Sequence, residues 1–345
     1  MNVLPSTWLI TSIHIVICLL ATSAIIGLSL IIYILKSQRL IKLNYICLIF
    51  IIIGMLSYSE ESTAVYRGNN ILNKPQQSAQ ILKEHIDSLP FRHEATKGLL
   101  KALFTGDRKD IDKDIKEAFR KSGASHILAL SGMHLGLIYL ILNKVLSILG
   151  HFPIAVLIKS MTVLTTTGYY VLMTGASDSI VRAYLFILIN EFCRLSGRKT
   201  FQLRTLLTAI TIQLTFHPMA ILSPGFQLSY CAMCGIYILF PKIQDWFPNS
   251  EDGRTNPVKK IWSLASLSIS CQAFTAPIAW WHFKSFPQYF LITNLIAMPL
   301  TSLLMIVAII LIGISSIVTP PTFAITLVES LASTLIFCLK TISNL

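Results

Sequence analysis

The sequence predicts an all-α, polytopic integral membrane protein of about ten membrane segments, some of them discontinuous, with a short amphipathic helical collar outside the membrane. Three observations predict it. Only 13% of the 345 residues are charged and 54% are hydrophobic, whereas a soluble domain carries about 25% charge. Mean hydropathy is +0.67. Apolar runs of spanning length recur along the chain, and the short loops between them are rich in Lys and Arg. This composition excludes an ordinary soluble enzyme.

Residues 9–35 are long enough to span, and 43–57 form a second, shorter span. The N-terminus lacks a basic start and a small-residue cleavage site, so the first run reads as a retained helix. Lys36, Arg39 and Lys42 lie between the two runs and predict a cytoplasmic loop. The domain reading is a membrane hairpin over 1–57, an external helical segment over 58–125 and a membrane domain over 126–345. Segment 58–125 holds 12 Lys/Arg against 10 Asp/Glu. Ile81, Leu82, His85, Ile86 and Leu89 recur at helical spacing, as do Leu99, Leu100, Leu103 and Phe104, and then Ile111, Ile115, Ala118 and Phe119. In the last of these helices the acids come early and the bases late, which complements the helix dipole, and Gly123 suits the residue just past its end.

Spans follow at 126–149, 154–173 and 179–195, then Arg194, Arg198, Lys199 and Arg204 mark a second cytoplasmic loop. Run 206–216 is too short to span cleanly and ends at His217-Pro218. Ser223-Pro-Gly-Phe-Gln-Leu-Ser229 interrupts the next run, and a Pro/Gly break in an apolar run predicts a discontinuous helix lining a cavity. A hydrophilic stretch at 241–260 is the third cytoplasmic loop, and spans at 261–281, 289–312 and 322–340 complete the count. No internal repeat or low-complexity tract is visible.

Net charge is +12. The basic bias of cytoplasmic loops is one reading of it, and the binding of a polyanion is the alternative. All seven cysteines fall in apolar runs, so a disulfide framework is not expected, and Cys231-x-x-Cys234 reads as a pair of small packing residues.

The stretch 103–137 stands apart. Its first half is an amphipathic helix, its second half is apolar, and Ser125, His126, Ser131 and His134 then reappear inside the apolar half. Polar groups at membrane depth are expensive and face a protein interior or a water-filled path. Leu103-Phe-Thr-Gly106-Asp107-Arg108 and His126-Ile-Leu-Ala-Leu-Ser131-Gly132-Met-His134 resemble the two signatures of the ComEC competence-channel family. Thr174-Gly175 with Ser179 and Val181-Arg182-Ala183, Leu195-x-Gly197-Arg198, His217-Pro218, Gly225-Phe-Gln227-Leu-Ser229, Ala276-Pro277, Asn294-Leu295 and Pro299 follow in that family's order. The resemblance covers about residues 97–317. It implies a multi-pass channel of the bacterial inner membrane that carries single-stranded DNA inward during natural transformation. Membrane lipids and separate DNA-receptor, nuclease and helicase proteins are the partners it implies. The family's outer OB-fold and its metallo-β-lactamase-like nuclease are not expected in this chain. About 40 residues separate Ser57 from Lys97, and no His-x-His-x-Asp-His cluster occurs. Strand cleavage by this chain is therefore not expected, and no cofactor, metal or catalytic residue is assigned.

Five residues are candidates for the substrate path: His126, Ser131, His134, Arg182 and Gln227. The family motifs add Gly106, Asp107, Arg108, Gly132, Gly225 and Asn294. His126 and His134 sit roughly 80° apart on a helix, so both can border one cavity or make packing hydrogen bonds, while a two-His metal site favours i, i+4 spacing and further ligands. Ser131 with His134 suggests a serine nucleophile, but three residues apart the two side chains stand side by side, and the base would come from His217 or His282. Arg182 has two readings, an ion pair with Asp178 one turn earlier or a phosphate contact. Aromatics 280–290 around Lys284 read as an interface belt or a base-stacking platform. An intramembrane enzyme, a lipid or peptide exporter, and an inactive paralogue are the alternatives to a DNA channel.

The loop charges predict an external N-terminus and collar. Single cysteines at Ser78, Ser196 and Ser250, in a background without the native ones, separate the faces: an impermeant thiol reagent labels Ser78→Cys from outside and leaves the other two. Labelling of Ser196→Cys with protection of Ser78→Cys inverts the topology.

Overall fold

The computed structural model describes residues 73–150, 152–246, 257–284 and 288–344, and among them all regular structure is helical. The expected spans at 9–35 and 43–57, and the centre of the 241–260 loop, lie outside the described residues. The chain divides into two compact units. Of the described residues the smaller unit holds Ile210–Ile221, and the larger holds the rest.

Four helices form the collar: α1 (Asn73–Ser88), α2 (Glu94–Thr105), α3 (Lys113–Lys121) and the single turn α4 (Ser125–Leu128). The long helices follow as α5 (Gly132–Leu146), α6 (Pro153–Met173), α7 (Asp178–Leu195), α8 (Gln202–Phe216), α9 (Pro224–Ile238), the short α10 (Phe240–Gln244), α11 (Pro257–Phe283), α12 (Phe290–Ser315) and α13 (Thr322–Ser343). Among the described residues five segments are long and apolar enough to cross a membrane: Gly132–Leu149, Pro153–Met173, Val258–Phe283, Phe290–Ser315 and Thr322–Ser343. The expectation of about ten is met only to that extent. The 18 residues of α7 include Asp178, Arg182, Glu191 and Arg194. Helices α8 and α9 have 15 residues each, short of the ~20 that a bilayer core requires. The break predicted between them is present. A 3-10 turn spans Pro218–Leu222, and α9 restarts with Pro224 in its first turn and Ser223 as N-cap, whose Oγ accepts the Phe226 amide at 3.1 Å.

The apolar stripe of the collar explains where it packs. Leu100, Leu103, Phe104, Ile115 and Phe119 join Leu304, Ala308, Val328 and Leu335 of α12 and α13 in one buried cluster. Each collar side chain of this size leaves water on packing, which stabilises by about 1.5–3 kcal/mol. Gly123 has the left-handed φ of 83° expected just past α3.

Polar bonds then fix the orientation, and they run mainly to the main chain. Tyr170 Oη donates to the Phe104 carbonyl at 3.0 Å, and Thr293 Oγ1 donates to the Ser122 carbonyl at 2.8 Å. The Glu329 carboxylate, in the apolar helix α13, accepts the amides of Arg92 and of His93, the latter at 3.2 Å. These amides precede α2, so Glu329 serves its N-terminus as a capping acid supplied from another helix.

The Gly106-Asp107-Arg108 loop connects α2 to α3. Gly106 ends α2 at φ 77°, and a Cβ there would lie 2.5 Å from Leu130 Cδ1. The backbone angle demands glycine, and a side chain there would also have to displace Leu130. Arg108 Nε donates to the Leu128 carbonyl at 3.1 Å. Asp107 pairs with Lys83 at 2.6 Å. Nearby, Lys101 Nζ lies 2.6 Å from Asp87 and 2.7 Å from Asp110. Burial alone would lower the Lys101 pKa, but its hydrogen bonds to Asp110 and Asp87 outweigh that and raise it.

Two outcomes are expected. Glu329→Leu strands the Arg92 and His93 amides, costs roughly 1–3 kcal/mol, lowers the melting temperature and speeds trypsin cleavage after Arg92. Unchanged cleavage and melting would remove the capping role. The second concerns acid. The hydrogen bond from Lys83 holds the Asp107 carboxyl below its ordinary 3.8, against the opposing effect of burial. A depressed folded-state value means that the pair stabilises above the unfolded value and ceases to as pH falls through the folded one. Lys83→Met is therefore less stable than wild type by about 0.2–1 kcal/mol near neutrality, and the gap closes below about pH 4. A gap that widens in acid contradicts this assignment.

Candidate substrate path at three helix N-termini

Helices α5, α7 and α9 bring their N-terminal ends together. At Gly132, the first residue of α5, a Cβ would stand 3.1 Å from Ala183 Cβ, 3.4 Å from Arg182 Nη2 and 3.9 Å from the Ser179 carbonyl oxygen. The close crossing of α5 and α7 therefore favours glycine, since a Cβ would press on Ala183. Ser179 Oγ and Ser229 Oγ, from α7 and α9, are 3.4 Å apart. Ser223 Oγ donates to Asp178 Oδ2, which ties the N-cap of α9 to the first turn of α7.

A helix leaves its first four amides without intrahelical acceptors, and its N-terminus carries about half a positive charge. Asp178 puts an acid in the first turn of α7 and, through Ser223, beside the start of α9, where Ser223 accepts the Phe226 amide. Helix α5 has no acid in its first turn. Instead the Ser131 amide donates to His134 Nδ1 at 3.0 Å and the His134 amide donates to the Ser131 carbonyl at 3.1 Å. This is a capping box with His in the place usually held by Glu. Because Nδ1 accepts, the imidazole proton sits on Nε2. His134 is fully buried, and Nε2 has no hydrogen-bond partner. Ser131 Oγ lies 3.4 Å from the same Nδ1, which the backbone amide already occupies. The pair is arranged as a cap rather than as a nucleophile and its base.

Arg182 is 8% exposed, its Cζ stands 5.7 Å from the centre of the Tyr230 ring, and Nη1 has no hydrogen-bond partner. Among the described residues no carboxylate pairs with it. Asp178, four residues earlier, is turned to Ser223. Of the two sequence readings of Arg182, the ion pair is thus not formed.

The other candidates have settings of their own. Gln227, in the first turn of α9, bonds His282 of α11 through Oε1 at 2.8 Å. His282 is thereby engaged with Gln227 rather than with Ser131. His126 is exposed on α4, with Nδ1 3.1 Å from the Gly123 carbonyl. Asn294 has a buried Oδ1 without a partner, beside Thr293, which holds the Ser122 carbonyl. Gly106 reaches the junction indirectly, through Leu130. Gly225 is exposed and a Cβ there would meet no atom within 4 Å, so packing among the described residues does not explain its glycine. Trp280 and Trp281 are exposed, and Lys284 stands over the Trp281 ring at 5.3 Å.

Sequence reasoning missed one polar centre. Glu191 of α7 is 1% exposed and accepts from Tyr139 Oη at 2.9 Å, from Ser160 Oγ at 2.8 Å and from Arg194 Nη2 at 2.6 Å. An acid inside an apolar run was the available signal. Among the described residues no group of three or more His, Cys, Asp or Glu is arranged to hold a metal ion.

Comparison with known proteins agrees with the motifs. The chain is 27% identical over 202 residues to ComE operon protein 3 of Bacillus subtilis (strain 168), covering 59% of this chain and 24% of that protein. It is 24% identical over 204 residues to the uncharacterized protein YcaI of Escherichia coli (strain K12), with 58% and 26% covered. An uncharacterized protein of Aquifex aeolicus (strain VF5) is 29% identical over 178 residues, with 50% and 37% covered. The matched region thus spans between a quarter and somewhat over a third of these relatives. No solved structure matches. The profile described as "Competence protein" matches residues 103–345, which is most of the chain, and the chain belongs to that family of membrane proteins.

Proposed function

We propose that this chain is the membrane core of a multi-pass channel that carries single-stranded DNA across the bacterial inner membrane during natural transformation, with no chemical step of its own. The observation that carries the reading is the convergence of three helix N-termini with Ser131, Ser179 and Ser229 around Arg182, in a member of the competence-protein family. A permeating strand brings one negative charge per nucleotide. Its path must offset that charge without holding it, because conduction requires binding weak enough for release. Hydroxyls, helix amides and neutral imidazoles meet this demand better than a file of lysines would. In this reading His126, Ser131, His134, Arg182 and Gln227 border the path. The collar and the N-terminal ends of α5, α7 and α9 face outward, and the loops at 36–42, 194–204 and 241–260 face the cytoplasm. Capture of duplex DNA, strand degradation and the pulling force come from partner proteins.

Deletion of the gene is expected to abolish transformation and to leave DNA binding at the cell surface unchanged. Complementation with Gln227→Leu, expressed and inserted at the wild-type level, is expected to restore less than about a tenth of wild-type transformation, the loss expected when a polar path group worth at least 1.4 kcal/mol is removed. His134→Leu also removes the α5 cap, which costs about 1 kcal/mol, so its insertion is scored by the same topology labelling. Normal transformation in the deletion strain would sink the reading. Normal transformation with Gln227→Leu removes that residue from the path.

A further inference from the structure

Arg182 and the first turn of α5 make an unbalanced arrangement. The guanidinium is more than nine-tenths buried, Nη1 has no hydrogen-bond partner, and Nη2 lies against Gly132, the first residue of a 15-residue helix. A cation is thus held at the positive end of a helix dipole, which is the unfavourable end for it. An unpaired buried charge costs several kcal/mol. The neighbouring N-termini of α7 and α9 share Asp178 and Ser223, whereas α5 has no acid in its first turn. Ser131, Gly132 and Met133 are each partly exposed, so the turn is reachable on one side while the arginine is buried on the other. Arg182 Cζ stands over the Tyr230 ring at 5.7 Å, and this contact leaves Nη1 without a hydrogen-bond acceptor.

From this geometry we infer an oxyanion subsite, built from the Arg182 guanidinium edge, the free amides in the first turn of α5 and the Ser131 hydroxyl, that holds one phosphodiester group of the transported strand. The occupant rests on the DNA-channel reading; the subsite does not. A phosphate oxygen accepts from Nη1 and from the helix amides together, and its charge neutralises both the arginine and the helix end. Gly132 is part of the device, because a Cβ there would stand 3.4 Å from Nη2 and narrow the space in which an oxygen meets that nitrogen and the helix amides. One such site per path acts as a register point: the strand dwells with one phosphate seated, then advances by one nucleotide.

The test uses the full chain purified in dodecyl maltoside, which carries no phosphate. The probes are a fluorescein-labelled oligothymidylate, the same oligomer with uncharged methylphosphonate linkages, inorganic phosphate, and phosphatidylglycerol. The wild type is expected to bind the oligothymidylate on the order of tenfold more tightly than the methylphosphonate oligomer. Arg182→Gln is expected to weaken oligothymidylate binding by a similar factor and to reduce the slope of log affinity against log salt by about 0.7. Arg182→Lys keeps the slope and loses part of the affinity, because an ammonium lacks the planar fork. Gly132→Ala weakens binding while leaving the arginine in place. A stability measurement guards against a folding defect. Without ligand Arg182→Gln melts no lower than the wild type, and inorganic phosphate raises the wild-type melting temperature only.

An unchanged affinity and salt slope in Arg182→Gln overturn the subsite. So does an equal response of both proteins to inorganic phosphate. Displacement of the oligothymidylate by phosphatidylglycerol in the wild type but not in Arg182→Gln overturns the occupant and assigns the site to a lipid headgroup. A wild type that binds no oligothymidylate, yet is stabilised by inorganic phosphate through Arg182, keeps the subsite and defeats the DNA-channel reading. Loss of transformation on gene deletion, together with an Arg182→Gln protein that binds like wild type, does the reverse.

Discussion

Every helix that begins inside a membrane protein brings unsatisfied amides with it, and the low dielectric makes them costly to leave bare. The architecture follows from how this chain meets that constraint at one place. The Pro-Gly interruption before α9 exists in a run that hydropathy alone would let continue. A continuous helix through it would place no N-terminus beside α7. The interruption supplies Ser223, Ser223 engages Asp178, and Asp178 then serves two helices. The contact at Gly132 brings α5 to the same point at backbone distance. Three positive helix ends therefore share one acid, and that deficit shapes the chemistry of the junction.

The collar is coupled to this junction through the main chain. Tyr170, Thr293, Arg108 and Glu329 each reach a carbonyl or an amide. Bonds of this kind are each worth about 1 kcal/mol net, and they fix the path of the backbone whatever side chains the collar carries. The segment 122–131 is held at Ser122 by Thr293 and at Leu128 by Arg108, while Leu130 sits against Gly106. A displacement of the collar would thus be passed on to Ser131 within a few residues. The Gly-Asp-Arg loop reads best as the hinge pin of that connection: glycine for the turn, aspartate for Lys83, arginine for the carbonyl of α4.

Much of this was legible in the sequence, because the signals are local. Helical periodicity placed the collar helices, Gly123 and the dipole-ordered charges marked the end of α3, and the Pro-Gly pair marked the start of α9. Ser131, Gly132, His134 and Arg182 do gather at one junction, while His126 sits apart on α4. What was not legible was partner choice across helices. Asp178 and Arg182 are spaced for an ion pair, yet one turn of helix carries the arginine to α5 and Tyr230 while the aspartate meets Ser223. No spacing rule reports which neighbour lies across a tertiary contact. Glu191 and Glu329 were likewise visible only as acids in apolar runs. Most of their partners, hydroxyls of α5 and α6 for Glu191 and the two amides before α2 for Glu329, come from distant parts of the chain; only Arg194 lies on the same helix as its acid. The number of spans was less legible for a different reason. Hydropathy adds up residues, whereas α7 carries four charges and α8 and α9 stop at 15 residues each.

Two buried charges in the same helix show how structure separates scaffold from site. Glu191 is more deeply buried than Arg182, yet its two oxygens receive three donors and its charge is met by Arg194. Taking it away would leave Tyr139, Ser160 and a half-exposed arginine without their acceptor, so its contribution is to hold α5, α6 and α7 in register. Arg182 has an aromatic face beneath it and an unmatched edge above. Such a group destabilises the protein in which it sits, and the anion proposed for it would restore the free energy it withholds from folding. The recovery is limited, because one arginine and one helix end cannot hold a polyanion as a row of them would. A single unmatched cation therefore suits a path that must attract each phosphate in turn and then release it.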